Sequence, residues 1–169
     1  MNQFKILLVD DSPLILKALE RMLKNRGYEI FRAASGHEAL EVLNAYEIDL
    51  IITDENMPGL SGTNLLGALK TLYPDVIRIM LTGMQDVEVL KNAINKGEIY
   101  RFFTKPWDDF ELSIAVRQGL QQRQLQKENA TLKGIIGRQS KVMTELEKEY
   151  PGISQKNLAS DGSLIINED

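Results

Sequence analysis

Short apolar runs alternate with segments of helical periodicity through the first 120 residues, and this alternation restricts the fold more than any other feature of the chain. Five runs predict strands, at residues 5–9, 28–33, 50–53, 76–81 and 99–104. Strands that alternate with helices in this way form a parallel sheet with helices on both faces. We therefore expect a doubly wound α/β fold with the strand order 2-1-3-4-5.

Capping residues predict where several helices begin and end. Ser12 precedes the first helix, which we expect to span residues 13–26 before Gly27 stops it. Residues 35–38 have the spacing of a capping box at the start of the second helix. Asp86 is the predicted cap of the fourth helix.

Polar side chains follow four of the five predicted strands. Asp10 and Asp11 end the first strand, Asp54 the third, Thr82 the fourth and Lys105 the fifth. Ligands of parallel α/β sheets bind at the carboxyl ends of the strands, so we expect these groups to converge. Carboxylates that crowd together repel one another and require a cation. The chain has no cysteine, which leaves a hard, oxygen-ligated ion such as Mg²⁺ as the expected cofactor.

This combination of groups is typical of phosphoryl transfer. A divalent ion and a lysine neutralise a phosphoryl group, and a carboxylate such as Asp54 can be the nucleophile. Thr82 lies where its hydroxyl could bind a phosphoryl oxygen. The alternative is a Mg²⁺-dependent phosphatase of the haloacid-dehalogenase type. That class needs its nucleophile on strand 1 in an Asp-x-Asp arrangement, which Asp10-Asp11-Ser12 does not provide.

Asp10-Asp11, Asp54 with Met57-Pro58-Gly59, Leu81-Thr82-Gly83 and Lys105-Pro106 together resemble the receiver domain of two-component response regulators. The resemblance covers about residues 3–120. It implies a flavodoxin-like fold and a phosphorelay switch rather than an enzyme with a separate output activity. Asp54 would accept phosphate from a sensor histidine kinase or a phosphotransfer protein.

The resemblance also implies roles for individual residues around the metal. Asp11 and Asp54 would bind Mg²⁺ directly, together with the backbone carbonyl of Asn56. Asp10 would act mostly through water bound to the metal.

Further roles implied by the resemblance concern the phosphoryl group and the response to it. Lys105 would contact the phosphoryl group, and its bond to Pro106 would be cis. Thr82 and Phe102 would form the switch pair, although simple core packing explains Phe102 equally well from the sequence.

A different pattern begins near residue 121. A heptad register places Gln122, Asn129, Ile136 and Met143 at a positions, and Leu125, Leu132, Gln139 and Leu146 at d positions. We expect a receiver over residues 1–120 and a parallel homodimeric coiled coil over 121–150. An amphipathic helix that folds back on the receiver is the alternative. Residues 151–169 form either a short hairpin at Asp161-Gly162 or a disordered tail.

Charge and hydropathy exclude several partners. A net charge of −4 opposes non-specific binding to nucleic acid. Residues 117–127 contain only Arg117, Arg123 and Lys127 as bases, too few for the basic region of a zipper-type DNA-binding protein. No apolar run approaches the ~20 residues that a membrane span requires. We expect a cytoplasmic protein that binds neither DNA nor membranes directly.

Overall fold

The computed structural model describes residues 3–83 and 87–153, and the chain divides into two compact units, residues 1–126 and 127–169. Strands and helices alternate as predicted: β1 (Lys5–Val9), α1 (Pro13–Leu23), β2 (Glu29–Ala33), α2 (Gly36–Ala45), β3 (Leu50–Asp54), α3 (Gly62–Leu72), β4 (Ile77–Thr82), α4 (Val87–Asn95), β5 (Arg101–Thr104) and α5 (Asp109–Glu149).

The five strands form one parallel sheet in the order β2-β1-β3-β4-β5, which confirms the predicted fold class and strand order. Four consecutive residues of β1 and all residues of β3 are buried, as expected for interior strands covered on both faces. β2 lies at an edge and is partly exposed. The sheet therefore presents the ends of β1, β3, β4 and β5 side by side.

Alternate residues of the interior strands supply two apolar layers. Leu7 and Ile51 belong to the layer that also contains Leu65 of α3 and Leu90 of α4. Leu8 belongs to the opposite layer, which also contains Leu19 of α1 and Leu112 of α5. Each fully buried aliphatic side chain of this kind contributes about 1.5–3 kcal/mol to stability. The strand ends are thus held between two packed faces.

The strand bounds near the site differ slightly from the predictions. β4 extends through Thr82, and β5 begins at Arg101 rather than at Ile99. The reason is the register of the ladder, which pairs Ile79 with Arg101 and Thr82 with Thr104. Ile99 is buried but precedes the first residue of β5 that pairs with β4. An apolar residue therefore led to a predicted strand that begins two residues too early.

The first helix ends earlier than predicted. α1 stops at Leu23 rather than near Arg26, because Lys24 takes an extended ψ of 146° and Asn25 a left-handed φ of 66°. Asparagine visits the left-handed region more readily than most residues, so the break precedes Gly27, which is itself left-handed at φ 73°.

Capping follows the prediction for α2. The Glu38 amide donates to Ser35 Oγ at 3.1 Å, and Glu38 Oε2 accepts from the Ala34 amide at 2.8 Å. Ser12 occupies the cap position of α1, but its side chain makes no capping bond. The predicted cap Asp86 lies outside the described residues.

Helix α5 is continuous from Asp109 to Glu149 and spans 41 residues. Its buried positions in the first unit include the predicted Leu112, Ala115, Val116 and Leu120. The predicted turn at Asp161-Gly162 lies outside the described residues. No helix within the described part of the chain is long and apolar enough to cross a membrane.

Candidate functional site

The carboxyl edge of the sheet gathers the polar residues predicted from the strand ends. Asp10 follows β1 and Asp54 ends β3, and both side chains are buried. Thr82 ends β4 and Lys105 follows β5 directly. Because these strands are neighbours, the sheet delivers all four residues to one edge.

Lys105 connects two of the carboxylates. Its Nζ lies 3.0 Å from Asp10 Oδ2 and 2.9 Å from Asp54 Oδ1. Asp11 is exposed and adds a third carboxylate, and the three aspartates offer oxygens that all lie within 4.8 Å of one another. The structure therefore brings together the predicted Asp10, Asp11, Asp54 and Lys105.

Asp10 contributes to both the site and the start of α1. Its Oδ2 accepts from Lys105 Nζ, and its Oδ1 accepts from the Ser12 amide at 2.8 Å. This second bond satisfies the backbone amide of Ser12, the residue at the cap position of α1. The same carboxylate thus orients a helix and a lysine.

Burial and neighbouring charges shift the pKa of Asp54 and the pKa of Lys105, the two groups at the centre of the site. Burial raises the pKa of Asp54 and the charge of Asp10 raises it further, while Lys105 acts in the opposite direction. For Lys105, burial alone would lower the pKa. Its hydrogen bonds to Asp54 and Asp10 and their charges outweigh burial and raise the pKa. For Asp54, burial and the charge of Asp10 therefore outweigh the stabilisation that Lys105 gives to the charged carboxylate.

The donor set fits a hard divalent cation. All three side chains offer carboxylate oxygens, which are the ligands that Mg²⁺ prefers, and they are close enough to share one ion. A cation there would also relieve the repulsion between Asp10 and Asp54. The residues present are therefore compatible with the expected Mg²⁺.

The remaining predicted residues surround this cluster. Thr82 is fully buried, and its Oγ1 donates to the Gly83 carbonyl at 3.1 Å. Phe102 is half-buried on β5 and packs against the apolar layer that contains Met80.

Asn56 is exposed in the loop that follows β3. The Lys105–Pro106 peptide is cis, as expected.

Two contacts next to Asp54 were not predicted from the sequence. The carboxylate of Glu55 accepts from the Thr63 amide at 2.8 Å and from its hydroxyl at 2.7 Å. A Cβ on Gly62 would overlap the Asp54 carbonyl oxygen and lie 2.9 Å from Glu55 Cα. The start of α3 therefore presses against the end of β3, and only glycine permits that approach at position 62. No local sequence signal distinguishes Gly62 from an ordinary glycine.

The chain belongs to the response regulator receiver family. The family model described as "Response regulator receiver domain" matches residues 6–117. The chain is 33% identical to the transcriptional regulatory protein GlrR of Escherichia coli over 162 residues, which are 96% of this chain and 35% of GlrR. It is 31% identical to sporulation initiation phosphotransferase F of Bacillus subtilis, with 71% of this chain and 95% of that protein covered.

Solved structures agree with this assignment. The signal receiver domain of an HD domain-containing protein from Pseudomonas fluorescens superimposes with a TM-score of 0.69 at 40% identity, covering 73% of this chain and 98% of that domain. The chain spans only about a quarter to a third of several curated relatives, including 26% of the regulator HoxA of Bradyrhizobium diazoefficiens. The chain is thus a response regulator receiver, and nothing supports the alternative of a haloacid-dehalogenase-type phosphatase.

We predict that Gly62→Ala disturbs the site, whereas Gly67→Ala in the same helix does not. The new methyl at position 62 must displace the backbone at the end of β3, which we expect to lower the free energy of unfolding by about 1–3 kcal/mol. Nothing lies within 4 Å of a Cβ at position 67, so alanine there should stabilise the protein by about 0.5–1 kcal/mol. Urea denaturation of both variants measures the difference. Equal stabilities would contradict the close contact at Gly62.

Proposed function

We propose that Asp54 is the phosphoacceptor of this receiver. The observation that carries the proposal is the ammonium of Lys105, which lies 2.9 Å from Asp54 Oδ1 and 3.0 Å from Asp10 Oδ2. An Asp54 oxygen would attack the phosphorus of a phosphohistidine on a kinase or phosphotransfer protein. The bond from phosphorus to the imidazole nitrogen would break, the nitrogen would recover its electron pair, and an acyl phosphate would form. Lys105 would then pair with a phosphoryl oxygen.

Asp10, Asp11 and Asp54, with the backbone carbonyl of Asn56, would hold Mg²⁺. The bound ion would supply positive charge that offsets the charge of the phosphoryl oxygens. The closeness of the three carboxylates supports this assignment. Burial also raises the pKa of Asp54, and a cation beside it would favour the charged form of the carboxylate.

Exposed apolar side chains beside the site support a protein as the phosphoryl donor. Leu14 lies in the first turn of α1, just after the Asp10-Asp11 pair, and is 78% exposed. Phe110 lies in the first turn of α5, just after the Lys105 loop, and is 72% exposed. Large apolar groups exposed next to a reactive site are typical of surfaces that bind another protein.

Thr82 and Phe102 would transmit phosphorylation to the surface of the receiver. The Thr82 hydroxyl now donates to Gly83, so it must leave that acceptor in order to bind a phosphoryl oxygen. Its movement would open space for Phe102, which lies on the next strand and is half-buried.

Residues 121–150 would form the parallel homodimeric coiled coil, beyond a receiver over 1–120. Along α5, Leu132, Ile136 and Met143 are 55%, 63% and 45% exposed and follow the heptad register. Asn129 at an a position favours two strands, and Glu128 at g could pair with Lys133 at e of a second copy. The residues after position 150 remain a separate tail in this proposal.

Phosphorylation with acetyl phosphate and Mg²⁺ tests the assignment of Asp54. We expect the mass of the full chain to rise by one phosphoryl group. Asp54→Asn should abolish the increase because an amide is a poor nucleophile, and Asp11→Ala or excess chelator should reduce it strongly by weakening metal binding. Glu41→Gln, which changes an exposed carboxylate of α2, is the control and should react normally. Full labelling of Asp54→Asn would refute the assignment.

The switch is tested with beryllofluoride, which mimics a phosphoryl group. With Mg²⁺ present, we expect the resonances of Phe102 to shift in the wild type and in Thr82→Ser, which keeps the hydroxyl. Thr82→Val has a similar shape but no hydroxyl and should suppress the shift. Phe103 packs in the opposite apolar layer and provides an internal reference. A Phe102 shift that is equally large in Thr82→Val would exclude a link through the hydroxyl.

The coiled coil is tested by sedimentation of the full chain, which we expect to be a dimer. Ile136→Glu should raise the dissociation constant roughly a hundredfold, because a carboxylate at an a position loses its hydration when the helices pair. Ala130→Glu places the same charge at an exposed b position and should leave the dimer intact. A monomer at high concentration would favour the alternative, a helix that does not pair with itself.

A further inference from the structure

A cleft of about 420 Å³ lies at the sheet edge opposite Asp54. Residues 43–48, from the last turn of α2 into the connection to β3, form one wall, and residues 72–76, from the end of α3 through the connection to β4, form the other. Arg123 of α5, within the first unit, also lines the cleft. These segments precede β3 and β4, whereas the site around Asp54 follows them. The cleft is therefore separate from the phosphorylation site.

The walls of the cleft expose apolar surface. Tyr46 is 48% exposed on one wall and Leu72 is 63% exposed on the other. Pro74 lies beside Leu72, and the buried Ile48 and Val76 support the walls from below. A folded domain of this size has ample core in which to bury such side chains. Their presence around a concave surface favours contact with a ligand or partner.

Acidic groups give this cleft a definite sign of charge. Arg123 is only 7% exposed, and nitrogens of its guanidinium lie 3.3 Å from a Glu47 oxygen and 3.5 Å from oxygens of Asp49 and Asp75. Among the described residues that line the cleft, Arg123 is the only cation. Three carboxylates thus share this guanidinium, and the side chains of Glu47 and Asp75 are 71% and 68% exposed.

The surrounding helices make the cleft more negative. α2 ends at Ala45 and α3 at Leu72, so both helices direct their carbonyl ends toward the cleft. A helix carries a partial negative charge at its C-terminus. The last turn of α2 contains no basic residue to offset it, whereas the last turn of α3 contains Lys70, whose ammonium donates to the Lys96 carbonyl. A cationic group is the complementary ligand.

We propose that this cleft binds a segment of another protein that carries an arginine or lysine next to leucine or phenylalanine. The cationic group would lie between Glu47 and Asp75, and the apolar group would contact Tyr46 and Leu72. A bare cation would leave the apolar walls uncovered, and a purely apolar segment would make no use of the two carboxylates, whose side chains are 71% and 68% exposed. A basic-apolar segment satisfies both surfaces.

Binding in the cleft would also act on α5. Arg123 belongs to α5, and the carboxylates of Glu47 and Asp75 that bind it are the ones that the partner would contact. A second cation would compete with Arg123 for them and weaken its hold on the two loops. The cleft would therefore be an input site that acts on the receiver independently of phosphate on Asp54.

Titration of the ¹⁵N-labelled full chain with short synthetic peptides tests the proposal. The probes are an arginine-leucine peptide, a glutamate-leucine peptide and an arginine-serine peptide of equal length. We expect the arginine-leucine peptide to shift the resonances of Tyr46, Leu72 and Asp75. The glutamate-leucine peptide should not bind, and the arginine-serine peptide should bind about tenfold more weakly because it leaves the apolar walls exposed.

Charge reversal in the cleft provides the matched comparison. Glu47→Lys and Asp75→Lys change exposed side chains, and together they should weaken binding of the arginine-leucine peptide at least about tenfold. Glu41→Lys places the same change on an exposed position of α2 that does not line the cleft, and it should bind the peptide normally.

Several outcomes would overturn the proposal. One is a peptide shift that maps elsewhere on the chain, and another is equal binding by the glutamate-leucine peptide. Resonances of the cleft that shift with protein concentration in the absence of peptide would identify a second copy of this chain as the occupant instead. None of these results depends on Asp54, so Asp54→Asn should bind the peptide normally even if the assignment of the phosphoacceptor is wrong.

Discussion

The contact between the Lys105 ammonium and the carboxylates of Asp10 and Asp54 is the interaction on which the carboxyl edge of this receiver depends. Two buried carboxylates this close would repel each other strongly without a shared cation. Lys105 supplies one positive charge to two negative ones, so the cluster remains anionic. Stability and metal binding would conflict at this point, because the uncompensated negative charge that disfavours folding is also what would attract a metal ion.

The parallel sheet brings the residues of this cluster together. Residues far apart in sequence, such as Asp10 and Lys105, meet because strands β1, β3, β4 and β5 lie side by side and end at one edge. The apolar layers on both faces fix the strands, so the loops can carry polar groups without loss of core. At the opposite edge of the sheet, residues from separate segments meet as well. There, Arg123 lies close to the carboxylates of Glu47, Asp49 and Asp75.

Sequence patterns sufficed for the sheet and for the four residues at its carboxyl edge, because each signal is local. A strand is a short apolar run, and the polar residue that follows it is visible directly. The position of Gly62 and the bond from Thr63 to Glu55 were not predictable, since they depend on how closely α3 approaches β3. Arg123 was counted as one base in a sparse stretch, and its burial follows only from the packing of α5. The early end of α1 depends on Asn25, a residue that weakly favours a left-handed conformation.

Asp10 has a consequence for how this protein can evolve. One of its oxygens accepts from the Ser12 amide at the start of α1, and the other accepts from Lys105. Selection for a well-formed helix and selection for reactivity therefore act on the same side chain. A change at Asp54 would leave that amide bond in place, whereas a change at Asp10 would remove both the acceptor of the Ser12 amide and a partner of Lys105.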